Sequence, residues 1–210
     1  MSPLEAPEPT VSRIALYLRC LRACQREGVQ TISSYGIEHR TGISSGQVRK
    51  DLSYFGEFGK PGRGYDVSAL LDRLARIMHL HVPHRVIIVG AGHLGTALAG
   101  YAGFAEPRFE VVALFDNDPA KIGKQARGLE IMDVAALVEH NQPPGGLGAR
   151  FGIIATPAAS AQQVADLMVR AGINAILNFT AVRVRVPEGV VARNVDVAHE
   201  LEVLSYFASE

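Results

Sequence analysis

The stretch RVIIVGAGHLG, residues 85–95, restricts the fold of this chain more than any other stretch does. A short β-branched run without a polar interruption is typical of a buried parallel strand. Three glycines at the spacing G-x-G-x-x-G follow it at once, and the next residues, TALAGYAGF, have helical character. A strand that passes through such a loop into a helix predicts the first unit of a doubly wound parallel sheet.

The three glycines have separate mechanical roles in a loop of this kind. Gly90 makes the tight turn, Gly92 lets a pyrophosphate approach the backbone, and Gly95 lets the helix pack closely on the strand. The first N–H groups of the helix then face the phosphates with a partial positive charge. We therefore predict that the phosphates of a dinucleotide bind to the whole loop, which comprises Gly90, Ala91, Gly92, His93, Leu94 and Gly95.

A carboxylate ends the second predicted strand, EVVALF, which is followed by Asp116. At that position it would accept hydrogen bonds from ribose hydroxyls and repel a 2′-phosphate, which favours NAD⁺ and NADH over their phosphorylated forms. The alternative is that Asp116 serves only as a turn residue in the sequence DNDP, but its place at a strand end favours the ribose role. Lys121, in the short segment after Pro119, is predicted to lie near the adenosine.

The rest of the chain keeps the alternation of strands and helices. FGIIAT and AILNFT are predicted strands, AASAQQVADLMVRAG is a predicted helix, and DVAHELEVLSYFA is a closing amphipathic helix. Ligands of such folds bind at the carboxyl edge of the sheet. Four strand-end residues are therefore predicted to line the cofactor site: Thr156, Pro157, Asn178 and Phe179.

The front of the chain predicts a second, helical module. Helical patterns cover residues 10–27, a short stretch near 33–42, and residues 44–55, where Ser44 and Gln47 form a predicted capping box. The glycine-rich segment EFGKPGRGYDV then predicts a tight hairpin or loop. Three short helices followed by a basic hairpin are the layout of a winged helix-turn-helix.

In the third of these helices Val48, Leu52 and Phe55 form an apolar side, which leaves the opposite side free to enter the major groove of DNA. The predicted DNA contacts are Ser45, Gln47, Arg49, Lys50, Ser53 and Tyr54 on the helix, and Lys60 and Arg63 on the hairpin. Residues 10–65 carry 9 Lys/Arg against 4 Asp/Glu, although the whole chain has a formal charge of zero. A three-helix cap with a solvated basic face would show the same pattern, so the residues alone leave both interpretations open.

Composition and boundaries complete the domain assignment. Hydrophobic content of 48% and charged content of 20% are typical of a globular protein with a core. The sequence shows neither a membrane-spanning apolar run nor a signal peptide, which predicts a cytoplasmic protein without a membrane partner. The predicted parts are a disordered tail (1–9), a winged-helix domain (10–82), a Rossmann-type domain (83–195) and a C-terminal helix (196–210).

Neither a metal site nor a catalytic site is predicted. Cys20 and Cys24 stand four apart on one face of a helix, and two thiols do not complete a tetrahedral metal site. They are interpreted as small packing residues, with a redox pair as the less favoured alternative. The seven histidines form no recognisable catalytic arrangement with a carboxylate, and a nicotinamide dehydrogenase also needs a substrate domain. Binding without turnover is therefore predicted; the alternatives are a small NAD-dependent oxidoreductase and a CoA- or nucleotide-binding module.

Four segments together resemble the redox-sensing transcriptional repressor (Rex) family: QVRKDLSYFGEFGKPGRGY, VGAGHLGTALAGYAGF, FDNDPAKIG and ILNFTAV. The resemblance covers nearly the whole chain after the N-terminal tail. It implies a repressor that holds an inverted-repeat operator when free or bound to NAD⁺ and releases it when NADH binds. It also implies a homodimer in which the C-terminal helix of each subunit packs beside the partner's winged domain.

The same resemblance singles out three further residues. Arg19, Tyr101 and Asp196 match family positions that form a ligand-sensitive network across the dimer. Val197 departs from the pattern, because some members place there an aromatic residue that stacks on the partner's nicotinamide.

Overall fold

The chain divides between Val82 and Pro83 into two units, each with a hydrophobic core of its own. The structure is a computed structural model that describes residues 6–59, 63–106, 108–142 and 144–208. Parts of three predictions lie outside these residues: positions 1–5 of the predicted tail, Lys60 of the predicted hairpin, and positions 209–210 of the last predicted helix.

The described residues of unit 1 form four helices and a small antiparallel sheet. In chain order they are α1 Glu8–Arg26, β1 Thr31–Ile32, α2 Ser34–Thr41, α3 Ser45–Ser53, β2 Tyr65–Asp66 and α4 Val67–Ile77. β1 pairs with β2, so that Ile32 lies opposite Tyr65. α1 begins at Glu8, which corrects the prediction that the tail extends to residue 9. The described residues 54–59 contain no strand, so β2 pairs with the strand before α2 and not with a neighbour in a hairpin.

Side-chain caps explain where three helices of unit 1 begin. Ser33 precedes α2 and accepts a hydrogen bond from the N–H of Gly36, while Ser44 precedes α3 and accepts one from the N–H of Gln47. Asp66 does the same for α4 through the N–H of Ala69. Each cap satisfies an N–H group that the first turn of a helix leaves without a partner. The start of the third helix at Ser44 is therefore as predicted.

Unit 2 is built on a seven-stranded sheet. Its strands are β3 His84–Val89, β4 Phe109–Asp116, β5 Gln125–Ala126, β6 Leu129–Asp133, β7 Phe151–Ile154, β8 Ala175–Asn178 and β9 Val191–Asn194. Its helices are α5 His93–Ala99, α6 Leu137–Asn141, α7 Ala161–Arg170 and α8 Val197–Ala208, with 3₁₀ turns at Ala102–Phe104, Val134–Ala136 and Ala158–Ser160.

The sheet has the order β5-β6-β4-β3-β7-β8-β9, and all pairs are parallel except β5 with β6. The chain leaves β3 toward β4 on one side and reaches β7 on the other, so the carboxyl end of β3 is the topological switch point at which such sheets bind ligands. β3 is buried on both faces: Ile87 and Val89 join the core that includes α7, and Val86 and Ile88 join the core on the opposite face.

The last helix differs from the others because none of its residues is buried. α8 exposes five large apolar side chains by 59–77%: Val197, Leu201, Leu204, Tyr206 and Phe207. Helices elsewhere in both units bury such residues in their cores. Among the described residues, no helix combines the length and the apolar character that crossing a bilayer requires.

Candidate nucleotide pocket and DNA-binding surface

The glycine loop lies between β3 and α5, at the switch point of the sheet. Gly90 has a φ of +105°, and a side chain there would meet the backbone of Ala155 at the end of β7. A Cβ on Gly95 would collide with the carbonyl oxygen of Gly90. Gly92, in contrast, has no atom within 4 Å of the place where its Cβ would stand. The fold itself therefore requires the first and third glycines, whereas the second keeps space open beside the loop.

A cavity of about 800 Å³ opens at this edge of the sheet. Six of the predicted cofactor residues line it: Gly90, Gly92, Asp116, Lys121, Thr156 and Pro157. The lining does not include the other six, Ala91, His93, Leu94, Gly95, Asn178 and Phe179, although all of them belong to the described residues. The cavity also has lining residues that the sequence analysis missed, among them Val134, Gln163, Leu167 and Arg170. Three of these lie on α7, whose sequence predicted a helix but gave no sign that the helix borders a cavity.

Asp116 is 6% exposed and carries a carboxylate that the protein already holds in place. Its Oδ2 accepts hydrogen bonds from the N–H of Ala91 at 2.8 Å and from Nζ of Lys121 at 3.0 Å, and its Oδ1 accepts one from the N–H of Asp118 at 2.9 Å. Burial alone would raise the pKa of this carboxyl, but the three donors together hold the pKa below its ordinary value. Asp116 is therefore charged at neutral pH and ties the end of β4 to the glycine loop.

Thr156, on the opposite wall of the cavity, has a buried hydroxyl with no hydrogen-bond partner among the described residues. Leaving a buried polar group unsatisfied costs roughly 1–3 kcal/mol. A ligand with a polar group at this position would remove that penalty. The open space at Gly92, the charged Asp116 and the unpaired hydroxyl of Thr156 together fit a polar, phosphate-bearing ligand.

Asn178 is completely buried, and its side chain holds the segment that follows β8. Its Nδ2 donates to the carbonyl of Val182 at 2.7 Å and to Oδ1 of Asn194 at 3.1 Å, while its Oδ1 accepts from the N–H and the hydroxyl of Thr180. These bonds use both donors and the acceptor of the amide within the chain. Asn178 therefore supports the edge of the sheet through this segment and does not present its amide to the cavity.

Apart from Lys60, which lies outside the described residues, the predicted DNA contacts lie on α3, directly after it, and just before β2. Arg49, Lys50, Ser53 and Arg63 are exposed, while Ser45 and Tyr54 are partly buried. Nη1 of Arg49 donates to Oγ of Ser34 on α2 at 2.8 Å.

Arg49 and Arg63 line one groove of about 670 Å³ with Ser33 and Ser34. The structure thus brings cations from two separate segments to one surface. Gln47 is half-buried, and its Nε2 donates to Oδ1 of Asp51 inside the unit at 2.7 Å; its contact with DNA stays a prediction.

The three residues of the implied network are divided between the units. Arg19 is exposed on α1 in unit 1 and lines a small cavity with Cys20 and Arg40. In unit 2, Tyr101 is 54% exposed and packs edge-on against Phe104, with 5.2 Å between the ring centroids. Asp196 accepts a hydrogen bond from the N–H of His199 and so caps the start of α8.

The two cysteines are buried in the core of unit 1. Burial, together with the neighbouring Cys24, raises the pKa of the Cys20 thiol to about 11. Such a thiol is protonated and unreactive at neutral pH, which agrees with the packing interpretation. In the part of the chain that the structure describes, no group of three or more His, Cys, Asp or Glu side chains could hold a metal ion.

Comparison with known proteins adds two family models and several close relatives. Residues 81–182 match a model described as a CoA binding domain, and residues 5–53 match one described as a putative DNA-binding protein N-terminus. The chain is 42% identical to the redox-sensing transcriptional repressor Rex of Desulforamulus reducens, over 98% of this chain and 97% of the relative. It is 45% identical to the protein of the same name from Pelotomaculum thermopropionicum, over 98% and 95% of the two chains.

Solved structures also match this chain over nearly its whole length. The crystal structure of RSP in complex with β-NAD⁺ and operator DNA matches with a TM-score of 0.89 and 34% identity, and the match covers 96% of this chain and 92% of RSP. The structure of RSP, a Rex-family repressor, in complex with β-NADH matches with a TM-score of 0.85 and 33% identity, over 97% and 94%.

Proposed function

The chain belongs to the redox-sensing transcriptional repressor (Rex) family, and we propose that it binds an inverted-repeat operator and releases it when NADH binds. The observation that carries this proposal is the match of almost the entire chain to RSP, whose structures contain NAD⁺ with operator DNA in one case and NADH in the other. A DNA-binding surface in unit 1 and a nucleotide pocket in unit 2 are the two parts that such a function needs.

The cavity of unit 2 supports NAD⁺ and NADH as its ligands. An ionised carboxylate offers about four acceptor positions, and three of those on Asp116 are in use within the chain. One position is left for a ribose hydroxyl, while the negative charge opposes a 2′-phosphate. The space beside Gly92 would take the pyrophosphate, and Thr156 would donate its hydroxyl to the bound dinucleotide.

The surface of α3 supports operator binding in the major groove. Arg49 and Lys50 would contact base edges or phosphates, and Ser45, Ser53 and Tyr54 would add hydrogen bonds at the same face. Arg63 would reach the flanking DNA backbone, as would Lys60, which lies outside the described residues. A dimer would place two such helices in successive major grooves, which are about 34 Å apart on one face of the duplex.

The exposed α8 supports a homodimer with exchanged C-terminal helices. Its large apolar side chains, including Leu201, Leu204 and Phe207, are what a partner subunit would cover. Arg19, Tyr101 and Asp196 remain our proposed members of a network across that dimer, and Val197 would leave stacking on the nicotinamide to other residues.

The discrimination between the two cofactors would follow from charge. NAD⁺ has one positive charge more than NADH on its nicotinamide ring, and burying an unpaired cation is unfavourable. A dry site near the dimer interface would therefore prefer NADH. We propose two states of the dimer, of which only one has its α3 helices spaced to reach both halves of the operator. If NADH binds the other state a hundredfold more tightly, the preference corresponds to about 2.7 kcal/mol. It would shift an evenly balanced equilibrium almost completely to the state that does not bind DNA.

A gel shift tests the proposed function directly. An inverted-repeat promoter fragment is titrated with the chain alone, with NAD⁺ and with NADH. We expect the complex to persist in NAD⁺ and to dissociate in NADH. Retention of the fragment under both cofactors, or failure to bind it at all, would contradict the proposal.

The relatives are named as repressors, and we propose a regulator rather than an enzyme. A CoA-binding role is the second candidate, because residues 81–182 match the CoA binding domain model. Competition between CoA and NADH in a binding assay separates the two. Displacement of NADH by micromolar CoA would favour the second candidate, and detectable hydride transfer from NADH to a small substrate would indicate an oxidoreductase.

A further inference from the structure

We propose that Asp51 is a positioning residue of the DNA-binding surface, which fixes the orientation of α3 on α1 so that Arg49 and Lys50 face the operator together. This inference rests on the proposed function, since it assigns Asp51 a role within operator recognition. Asp51 follows Lys50 directly in the chain but is completely buried, whereas Arg49 and Lys50 are exposed.

Five hydrogen bonds converge on the carboxylate of Asp51. Oδ1 accepts from Oγ1 of Thr10 at 3.2 Å, from Nη2 of Arg13 at 2.7 Å and from Nε2 of Gln47 at 2.7 Å. Oδ2 accepts from Nε of Arg13 at 2.6 Å and from the hydroxyl of Tyr17 at 2.8 Å. The acceptor capacity of the carboxylate is therefore filled by the protein itself, with no position left for a ligand.

The donors from α1 form a single row. Thr10, Arg13 and Tyr17 are spaced three and four residues apart, so they lie on one face of that helix. Arg13 contacts both oxygens with two nitrogens of its planar guanidinium, which fixes the direction of approach as well as the distance. α3 is thus held to α1 at a defined rotation about its own axis.

Apolar packing alone would not provide that rotation. Val48 and Leu52 bury α3 against the core of unit 1, but hydrophobic contact is non-directional. A buried ion pair is often no more stabilising than apolar side chains of the same volume, and its best-attested use is to specify one arrangement. Asp51 lies within one turn of Arg49 and Lys50 on α3. If α3 turned about its own axis, both cations would therefore point in a different direction.

Gln47 belongs to the same arrangement. Its side-chain amide donates to Asp51 one turn further along α3, and its backbone N–H donates to the cap residue Ser44. The side chain therefore braces Asp51 from its own helix while α1 holds it from the other side. Gln47 accordingly acts on the operator through Asp51 and not through a base edge.

The experiment compares affinity for two duplexes. The full-length wild-type chain first selects a duplex from a random pool in the presence of NAD⁺, and a shuffled duplex of equal length and composition is the second probe. Asp51→Asn removes the charge with little change of shape, and Arg13→Lys keeps the charge but removes the two-nitrogen contact. The matched control is Glu27→Gln, which breaks the exposed ion pair of Glu27 with Arg40 in the same unit.

The readout is the dissociation constant for the shuffled duplex divided by the dissociation constant for the selected duplex. It is measured on variants that circular dichroism shows to be folded. We expect the ratio to fall about tenfold for Asp51→Asn and several-fold for Arg13→Lys, with affinity for the shuffled duplex nearly unchanged, because orientation matters to base contacts more than to phosphate contacts. Glu27→Gln should keep the wild-type ratio. If Asp51→Asn does not fold, Arg13→Lys decides.

Two results would overturn the proposal: a wild-type ratio in the folded variants, or an equal loss of affinity for both duplexes, which is the sign of a purely structural role. A wild-type chain that cannot distinguish any duplex would instead refute the proposed function. In that case amide hydrogen exchange of the free Arg13→Lys chain decides, since positioning predicts faster exchange in Ser45–Ser53 with Val67–Ile77 unchanged. Equal exchange in both helices of the variant and the wild type would reject the positioning role.

Discussion

Asp51 in the helical unit and Asp116 in the sheet unit are the buried carboxylates among the described residues. Both are charged and hydrogen-bonded, yet their donors have different origins. The donors to Asp51 are side chains, three of them 34 to 41 residues away on α1. Asp116 accepts mainly from nearby or loop groups: the N–H of Asp118, the N–H of Ala91 and Nζ of Lys121.

The difference shows how a buried charge can be assigned to structure or to ligand binding. The protein fills every acceptor position of Asp51, so its effect is on the arrangement of helices. Asp116 keeps one acceptor position and lines a cavity, so it is available to a ligand. Burial and a depressed pKa are common to both residues and do not separate the two roles; the remaining hydrogen-bond capacity does.

The largest expected effect concerns the glycine loop, where one glycine is required by the fold and another leaves space for a ligand. Gly95→Val should lower the free energy of unfolding by about 3 kcal/mol, because the new side chain enters the space of the Gly90 carbonyl. Urea denaturation followed by circular dichroism measures this loss. The control is Gly92→Val, which has open space in the free protein and should unfold within about 0.5 kcal/mol of the wild type.

Gly92→Val should nevertheless abolish the response to NADH while operator binding persists, because its side chain would occupy the proposed place of the pyrophosphate. A Gly92→Val chain that still leaves the operator on addition of NADH would show that the space beside this loop is not the phosphate site. Strong destabilisation by this substitution would equally contradict the contrast with Gly95.

Lys50→Ala tests whether the two units can be disabled separately. Loss of this cation should weaken operator binding by about 2 kcal/mol, within the range of a single specific contact, and should leave NADH affinity unchanged. Fluorescence anisotropy with labelled operator and calorimetry with NADH measure the two affinities. Lys124→Ala, which removes an exposed lysine of unit 2, is the control. Equal operator affinity in the two variants would reject α3 as the DNA-binding helix.

Lowering the pH should reveal the contribution of Asp51 to the free energy of unfolding. Burial opposes its charge, but hydrogen bonds from Arg13, Tyr17 and Gln47 lower its pKa from 3.8 to about 2. A carboxyl with a depressed pKa stabilises the folded state fully above its unfolded pKa and loses that contribution as the pH falls toward its folded pKa. Between pH 5 and pH 2 the wild type should therefore lose about 2 kcal/mol that Asp51→Asn does not lose. If the stability of the wild type and of the Asp51→Asn variant falls equally as the pH is lowered, Asp51 does not make this contribution.

The smallest expected effect concerns the ion pair of Lys121 with Asp116. Lys121 has a side chain that is 39% exposed, so solvent screens the pair, and Lys121→Met should cost less than about 1 kcal/mol of stability. The pKa of Asp116 should rise, and NADH affinity should fall only modestly, because the backbone donors of Asp118 and Ala91 remain. If Lys121→Met lowers the stability at neutral pH as much as Asp51→Asn does, then Lys121, and not the backbone, keeps Asp116 in place.

Much of the fold could be predicted because its signals are local. The β-branched run of β3, the glycine spacing after it and the polar residue at the end of β4 each involve neighbouring residues. The cap at Ser44 is local in the same way. The start of α1 at Glu8 was less accessible, because the Pro/Glu-rich composition of the N-terminus favoured a tail while Pro7 in fact precedes the first turn.

The sites were predicted less completely than the fold. Asn178 was correctly placed at a strand end, but the direction of its amide depends on Val182, Thr180 and Asn194, which only the folded chain brings together. Gln163 and Arg170 border the cavity because α7 packs against β7, and their spacing in the sequence carries no mark of a ligand.

The sequence by itself determined the order of β3, α5 and β4, the turn at the glycine loop and the burial of β3, because backbone conformation and hydrophobic patterning act over a few residues. Only the tertiary structure decided which polar groups meet. Asp51 illustrates the reason: its partners on α1 lie tens of residues away, and whether they reach its carboxylate depends on the angle at which two helices cross, which no local pattern encodes.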